Sequence, residues 1–173
     1  NLDNLELVFK FDSIKNSNLK NTWDARIGAN PIYANGKIFF ITASYELVAI
    51  SADDYTIIWS RDFESMISKR GFLYHENKDE KFLLITDGNN LYKLNSEDGS
   101  LIKSFGKSGS VEFGMVLIPP VIFKNQIILL NITEGKIISL DLETEKKNFS
   151  KNINENNEHF LFANPWGGSA LDD

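Results

Sequence analysis

Apolar residues in this chain fall in runs of four to seven, separated by Gly, Asn, Asp, Lys and Ser, and helical spacing is nearly absent. That is the pattern of strands joined by turns. It predicts strands at Leu5–Phe11, Pro31–Ala34, Lys37–Thr42, Glu46–Ser51, Thr56–Arg61, Gly71–His75, Lys81–Thr86, Asn90–Asn95, Leu101–Phe105, Pro120–Phe123, Gln126–Asn131 and Lys136–Leu142. Between them stand Asn35-Gly36, Asp87-Gly88 and Asp98-Gly99, pairs that tolerate the positive φ of tight turns. The fold class is all-β.

The pattern also repeats. Leu47-Val48-Ala49-Ile50-Ser51-Ala52-Asp53-Asp54-Tyr55-Thr56-Ile57-Ile58-Trp59 aligns without gaps to the stretches Leu91–Lys103 and Ile137–Phe149, with starts 44 and 46 residues apart. Each copy is an alternating strand, an acidic turn and a second strand. A further strand pair precedes each copy, so about four short strands recur every ~45 residues, the size of one propeller blade. The reading is a partial β-propeller in a single incomplete domain over 1–173. Its parts are a closing strand at 5–12, blades at 25–63, 70–105 and 119–152, and the start of a fourth at 163–173. A propeller closes with about four to eight blades. The expectation is therefore a piece of a longer protein, or a chain that completes its ring with a second copy. Self-association through exposed blade faces follows from the open edges.

Composition narrows the chemistry. Of 173 residues 42% are hydrophobic, enough for a core. There is no Cys and only His75 and His159, which excludes disulfides, thiolate zinc sites, a cysteine nucleophile and a multi-histidine centre. The longest apolar runs, Val116–Phe123 and Ile127–Leu130, fall far below the roughly 18 residues of a membrane helix. A net charge of −6 makes a nucleic-acid partner unexpected.

The repeat resembles the tryptophan-docking motif of the pyrroloquinoline quinone (PQQ) dehydrogenase superfamily, approximately Leu-Tyr-Ala-Leu-Asp-Ala-Lys-Thr-Gly-Lys-x-x-Trp. Trp59 keeps the docking position, Phe149 substitutes in it and Lys103 departs from it. Three further stretches are similar to the family: Asn4–Phe11, Arg70-Gly71-Phe72-Leu73-Tyr74-His75 with the tail Phe105–Phe113, and Asn164-Pro165-Trp166-Gly167-Gly168-Ser169-Ala170-Leu171-Asp172. The Arg–His pair and the Phe-Gly tail lean toward the quinoprotein glucose dehydrogenase branch. The resemblance implies an eight-bladed parent of which this is the N-terminal third. It also implies a periplasmic or exported location, and PQQ and calcium as cofactors of the parent.

PQQ is a planar quinone with three carboxylates, so its site needs an aromatic floor and cationic groups at the rim. The resemblance implies that Trp166 stacks under the ring, that Arg70 holds a carboxylate from the axial mouth, and that His75 lies near the quinone. An arginine fork suits a carboxylate on its own chemistry. Read without the family, Trp166 is a core residue, Arg70 a solvated charge and His75 a loop residue. Catalytic and metal-ligating residues are expected downstream of residue 173. Two functions are carried forward. One is a fragment, itself inactive, of a dehydrogenase passing hydride from a sugar or alcohol to the quinone and on to an electron acceptor. The other is a non-catalytic propeller of the same repeat, a scaffold or sensor that binds protein partners.

Overall fold

The computed structural model describes residues 6–12, 29–63, 67–116 and 118–153. They form three four-stranded antiparallel sheets in chain order. The first holds β1 (Ile32–Ala34), β2 (Lys37–Ile41), β3 (Leu47–Ser51) and β4 (Ile57–Arg61). β5 (Leu73–Glu76), β6 (Lys81–Thr86), β7 (Gly88–Asn95) and β8 (Ser110–Val116) make the second. The third comprises β9 (Val121–Phe123), β10 (Gln126–Asn131), β11 (Lys136–Asp141) and β12 (Lys147–Asn152). Each sheet is one propeller blade, and the partial propeller read from the repeat is the fold observed.

Alternation along the strands builds the stack. On β6, Leu83 and Ile85 point one way and join Phe39, Ile41, Leu47, Ala49 and Trp59 of the first blade in one core. Phe82 and Leu84 point the other way and meet Ile127, Leu129, Ile138 and Leu140 of the third. A strand covered on both faces carries apolar residues at successive positions rather than at every second one, which is why Phe82-Leu83-Leu84-Ile85 is an unbroken run.

The repeated turn is visible bond by bond. The backbone N–H groups of Tyr55, Gly99 and Glu145 donate to the carbonyls of Ser51, Asn95 and Asp141. Those same three residues receive the N–H groups of Asp53, Glu97 and Glu143 on their side-chain oxygens, so a short polar side chain closes each turn. Tyr55, Gly99 and Glu145 all have positive φ, at 60°, 70° and 53°. Glycine stands only where Trp59 docks: a Cβ on Gly99 would lie 2.6 Å from Trp59 Cε3. The indole also donates from Nε1 to the Ser96 carbonyl at 3.1 Å. The aligned residue of the third blade, Phe149, is 44% exposed, on the face that a further blade would cover.

Two strand expectations change. Over Leu101–Phe105 only a bridge between Leu94 and Leu101 remains, and the fourth strand of the second blade is β8. Ser108 and Gly109 at positive φ, with Gly106, fold residues 102–109 into a loop that drops Phe105 into the core at 1% exposure. Within Leu5–Phe11 the described residues form no strand. They lie ring against ring on the first blade instead, Phe11 edge-on to Phe40 at 4.7 Å and Phe9 stacked on Tyr55 at 4.9 Å.

Candidate functional site

The connector from blade one to blade two, residues 67–72, carries the positive charge of the candidate site. Ser68 N–H donates to the Thr86 carbonyl at 2.7 Å, pinning the connector to the β6–β7 turn. Arg70 N–H donates to Ser68 Oγ at 3.2 Å, and Arg70 itself is half-buried. Lys69 Nζ lies 3.9 Å from the centre of the Tyr45 ring, a cation–π contact that ties the connector to the β2–β3 turn. Tyr45 holds φ at +67°, a conformation costing a bulky residue ~1–3 kcal/mol. Gly71, at φ +147°, leaves room for Pro119 before β9, whose Cγ would lie 3.1 Å from a Cβ there. Lys69 is thus held at the turns of the two blades with Arg70 next to it in the chain, residue types suited to a carboxylate or other anion.

Comparing the blades exposes a second feature. The residue that caps the turn after the second strand is Thr42, Asp87 and Asn131 in turn, with Thr42 and Asn131 each 1% exposed. Thr42 Oγ1 accepts the Glu46 N–H at 3.1 Å. Asn131 Oδ1 accepts the Glu134 N–H, and its Nδ2 donates to the Phe113 carbonyl at 2.7 Å. In the second blade Asp87 caps the turn, with Oδ1 accepting from Asn89 and Asn90 N–H and Oδ2 from the Tyr92 hydroxyl at 2.6 Å. Burial pushes the Asp87 carboxyl up, but these hydrogen bonds outweigh it and hold it below the usual range. Thr86 Oγ1 is left buried and without a hydrogen-bond partner among the described residues, as is Ser44 Oγ beside Tyr45.

His75 lies elsewhere. It sits on β5 opposite Phe82, at the β5–β6 end of the blade, whereas Arg70 is at the β6–β7 end. The structure therefore does not bring these two sequence-predicted residues together. The His75 ring packs on Phe82 at 5.1 Å. Burial lowers its pKa; Glu80 opposes that shift and Lys93 adds to it. Lys93, whose side chain is 7% exposed, pairs with Glu80 at 2.6 Å and covers the Phe82 ring at 4.2 Å. This is an ion pair within the second blade with its ammonium buried, where the repeat has Ala49 and Ser139. Trp166, the third predicted residue, lies outside the described residues, as do Gly167-Gly168 and the predicted fourth blade.

No group of three His, Asp or Glu able to hold a metal ion occurs among the described residues, so calcium finds no donor set there. A groove of about 460 Å³ under Phe9 and Phe11 is lined by Phe40, Ile38, Ile50 and Tyr55, packing surface with little chemistry. Sequence reasoning missed Lys69, Ser44 and Thr86.

The family described as the PQQ glucose/ethanol/alcohol dehydrogenase β-propeller domain matches residues 1–134. No curated protein matches. Among solved structures, the chain is similar to BamB from Moraxella catarrhalis, at 15% identity and a TM-score of 0.53, over 73% of this chain and 38% of that one. It is similar to the quinohemoprotein alcohol dehydrogenase from Comamonas testosteroni at 17% identity and 0.54, over 73% and 21%. A europium-containing methanol dehydrogenase aligns at 12% and 0.53, over 72% and 24%. At these identities the likeness is one of fold. The chain spans between a fifth and two fifths of the structures it matches.

Proposed function

Since this chain belongs to the PQQ glucose/ethanol/alcohol dehydrogenase β-propeller family, we propose that it is part of a dehydrogenase that oxidises a sugar or alcohol with PQQ. The observation that carries this reading is the Ser68–Arg70 connector, pinned to the β6–β7 turn by Ser68 and to the β2–β3 turn by Lys69, with Arg70 following. The residues fit a compound with several carboxylates: a guanidinium for bidentate pairing, an ammonium, and buried hydroxyls nearby. When bound, PQQ accepts hydride from the substrate carbon that bears the hydroxyl. Arg70 holds a carboxylate and fixes the ring's orientation, and Lys69 balances charge from its place on Tyr45. Trp166 supplies the flat apolar floor, worth ~0.5–1.5 kcal/mol beyond its burial. His75, packed on Phe82 at the other end of the blade, tunes the site indirectly by holding β5. The base for the substrate hydroxyl and the calcium ligands belong to the remainder of the parent protein, whose family membership also supports an exported location.

The test is a PQQ titration of the chain followed by tryptophan quenching. Arg70→Ala should weaken binding about tenfold or more, the scale of a lost charge-assisted hydrogen bond, and Trp166→Ala should weaken it as well. Equal affinity in Arg70→Ala would remove the reading. The chain alone should show no dye reduction with sugars or alcohols, and robust turnover would overturn its place as a part of the enzyme. The exposed Ile137 and Phe149 on the third blade favour a second reading, a non-catalytic propeller that binds protein partners through that face.

A further inference from the structure

The β1–β2 turn of the first blade reaches across to the first strand of the second. Its two residues, Asn35 and Gly36, are exposed and hold φ at 48° and 70°, the paired left-handed geometry that Asn-Gly adopts in a two-residue hairpin. The Asn35 carboxamide donates from Nδ2 to the Tyr74 hydroxyl and, at 2.7 Å, to Glu76 Oε2. The Tyr74 hydroxyl donates to the same Glu76 oxygen at 2.9 Å, and its ring stacks on Phe39 of the first blade at 5.9 Å. The turn is thereby clamped to β5. The hydrogen bond from Asn35 is the largest of the causes that hold the Glu76 carboxyl below its usual range, so the clamp is built on the carboxylate form.

Asn35-Gly36 is also the one Asn-Gly pair in the sequence. Glycine has no Cβ to shield its nitrogen, and a Cβ built on Gly36 would meet nothing within 4 Å. The Gly36 nitrogen can therefore attack Asn35 Cγ: the N–Cγ bond forms, the Cγ–Nδ2 bond breaks, and ammonia leaves with the proton that the Gly36 nitrogen gives up. Water then opens the cyclic imide to aspartate or isoaspartate, and nothing is oxidised or reduced. Two hydrogen bonds fix the carboxamide on β5, so Cγ swings over the Gly36 nitrogen only when the turn lifts from the second blade. The product is a carboxylate where a donor stood, facing the Glu76 carboxylate, and neighbouring like charges repel.

We propose that Asn35 is a modification site, a deamidation point gated by Tyr74 and Glu76, and that its conversion is a one-way latch. The junction of the first two blades opens at this end for the reaction to occur, and the product keeps that end open.

The test incubates the whole 173-residue chain at mildly alkaline pH and follows conversion at each asparagine by peptide mass spectrometry. In Tyr74→Phe and in Glu76→Ala, conversion at Asn35 should run about tenfold faster than in the wild type, the scale of one lost charge-assisted hydrogen bond, with the other asparagines unchanged. Gly36→Ala, whose methyl has open space, should slow it. Asn35→Asp stands in for the product: it should unfold at lower urea than the wild type. Asn35→Asp combined with Glu76→Gln should recover, because glutamine offers a donor in place of the repelling charge. Conversion at Asn35 no faster in the two clamp variants, or faster only in step with every other asparagine, would overturn the gate. An Asn35→Asp chain as stable as the wild type would overturn the latch.

Discussion

Substituting alanine at Gly99 separates two penalties that usually arrive together. The first is backbone: φ is +70° there, which costs an L-residue ~1–2 kcal/mol. The second is steric: the new methyl would sit 2.6 Å from Trp59 Cε3 and 2.8 Å from Cδ2, against ~3.5–4.0 Å for an unstrained carbon pair. Overpacking of that kind costs ~1–3 kcal/mol. Gly99→Ala should therefore destabilise by ~2–5 kcal/mol in the wild-type background. In a Trp59→Leu background the ring is gone and only the backbone part should remain, giving a coupling of ~1–3 kcal/mol. Trp59→Leu alone should cost less than the ~3–5 kcal/mol typical of Trp→Ala, because Leu still fills part of the space beside Phe39. Urea unfolding at 25 °C followed by far-ultraviolet circular dichroism measures all four corners. Tyr55 and Glu145, non-glycine residues at the same turn position with positive φ, already show that the backbone part alone is tolerated. Equal cost of Gly99→Ala in both backgrounds would show that the indole is not the wall.

Other outcomes follow from the same packing. Replacing Lys93 by Met should change stability by less than ~1 kcal/mol, since a buried pair is often no better than a hydrophobic isostere. Glu80→Gln, which strands the buried ammonium, should cost ~1–3 kcal/mol; denaturant midpoints for the two variants decide it. Because burial, partly opposed by Glu80 and reinforced by Lys93, depresses the His75 pKa, the unfolded chain takes up the proton more readily than the folded one. Its stabilising contribution is present above pH ~6.5 and lost as pH falls through the lower native value, so His75→Phe should flatten the stability slope between neutral and mildly acid pH. Phe11→Ala removes the edge contact on Phe40 and should lower stability by ~0.5–1.5 kcal/mol plus the lost burial, read as a drop in Tm. Ile137→Lys together with Phe149→Lys should abolish any concentration-dependent sedimentation; persistence of the larger species would place self-association on another surface.

The blade repeat was legible because strand alternation and the acidic turn are local signals, and the three turns repeat their hydrogen bonds as the alignment of Ser51, Asn95 and Asp141 requires. The fourth strand of the second blade was not legible. Leu101-Ile102 reads as apolar strand, and only the chain's turn through Ser108 and Gly109 reveals that Phe105 is a buried plug and that pairing resumes at Ser110. Arg70 could be singled out by its residue type and the resemblance around it. Thr86 could not, since the burial of its hydroxyl is set by how the blades pack, not by its residue type. Lys93 stands in the repeat where small residues stand in the other copies, and its burial becomes sensible once Glu80 and Phe82 are seen around it.

The second sheet alone has another sheet against each of its faces among the described residues, and that sets an order of melting. In a linear array whose members touch only their neighbours, stability is a sum of unit and junction terms, so the flanking members fray first and the middle one opens with the whole. Amide protons of Leu83, Leu84 and Ile85 should then be the slowest to exchange. Those of β12 should be among the fastest, marking the end at which the array grows or dissolves.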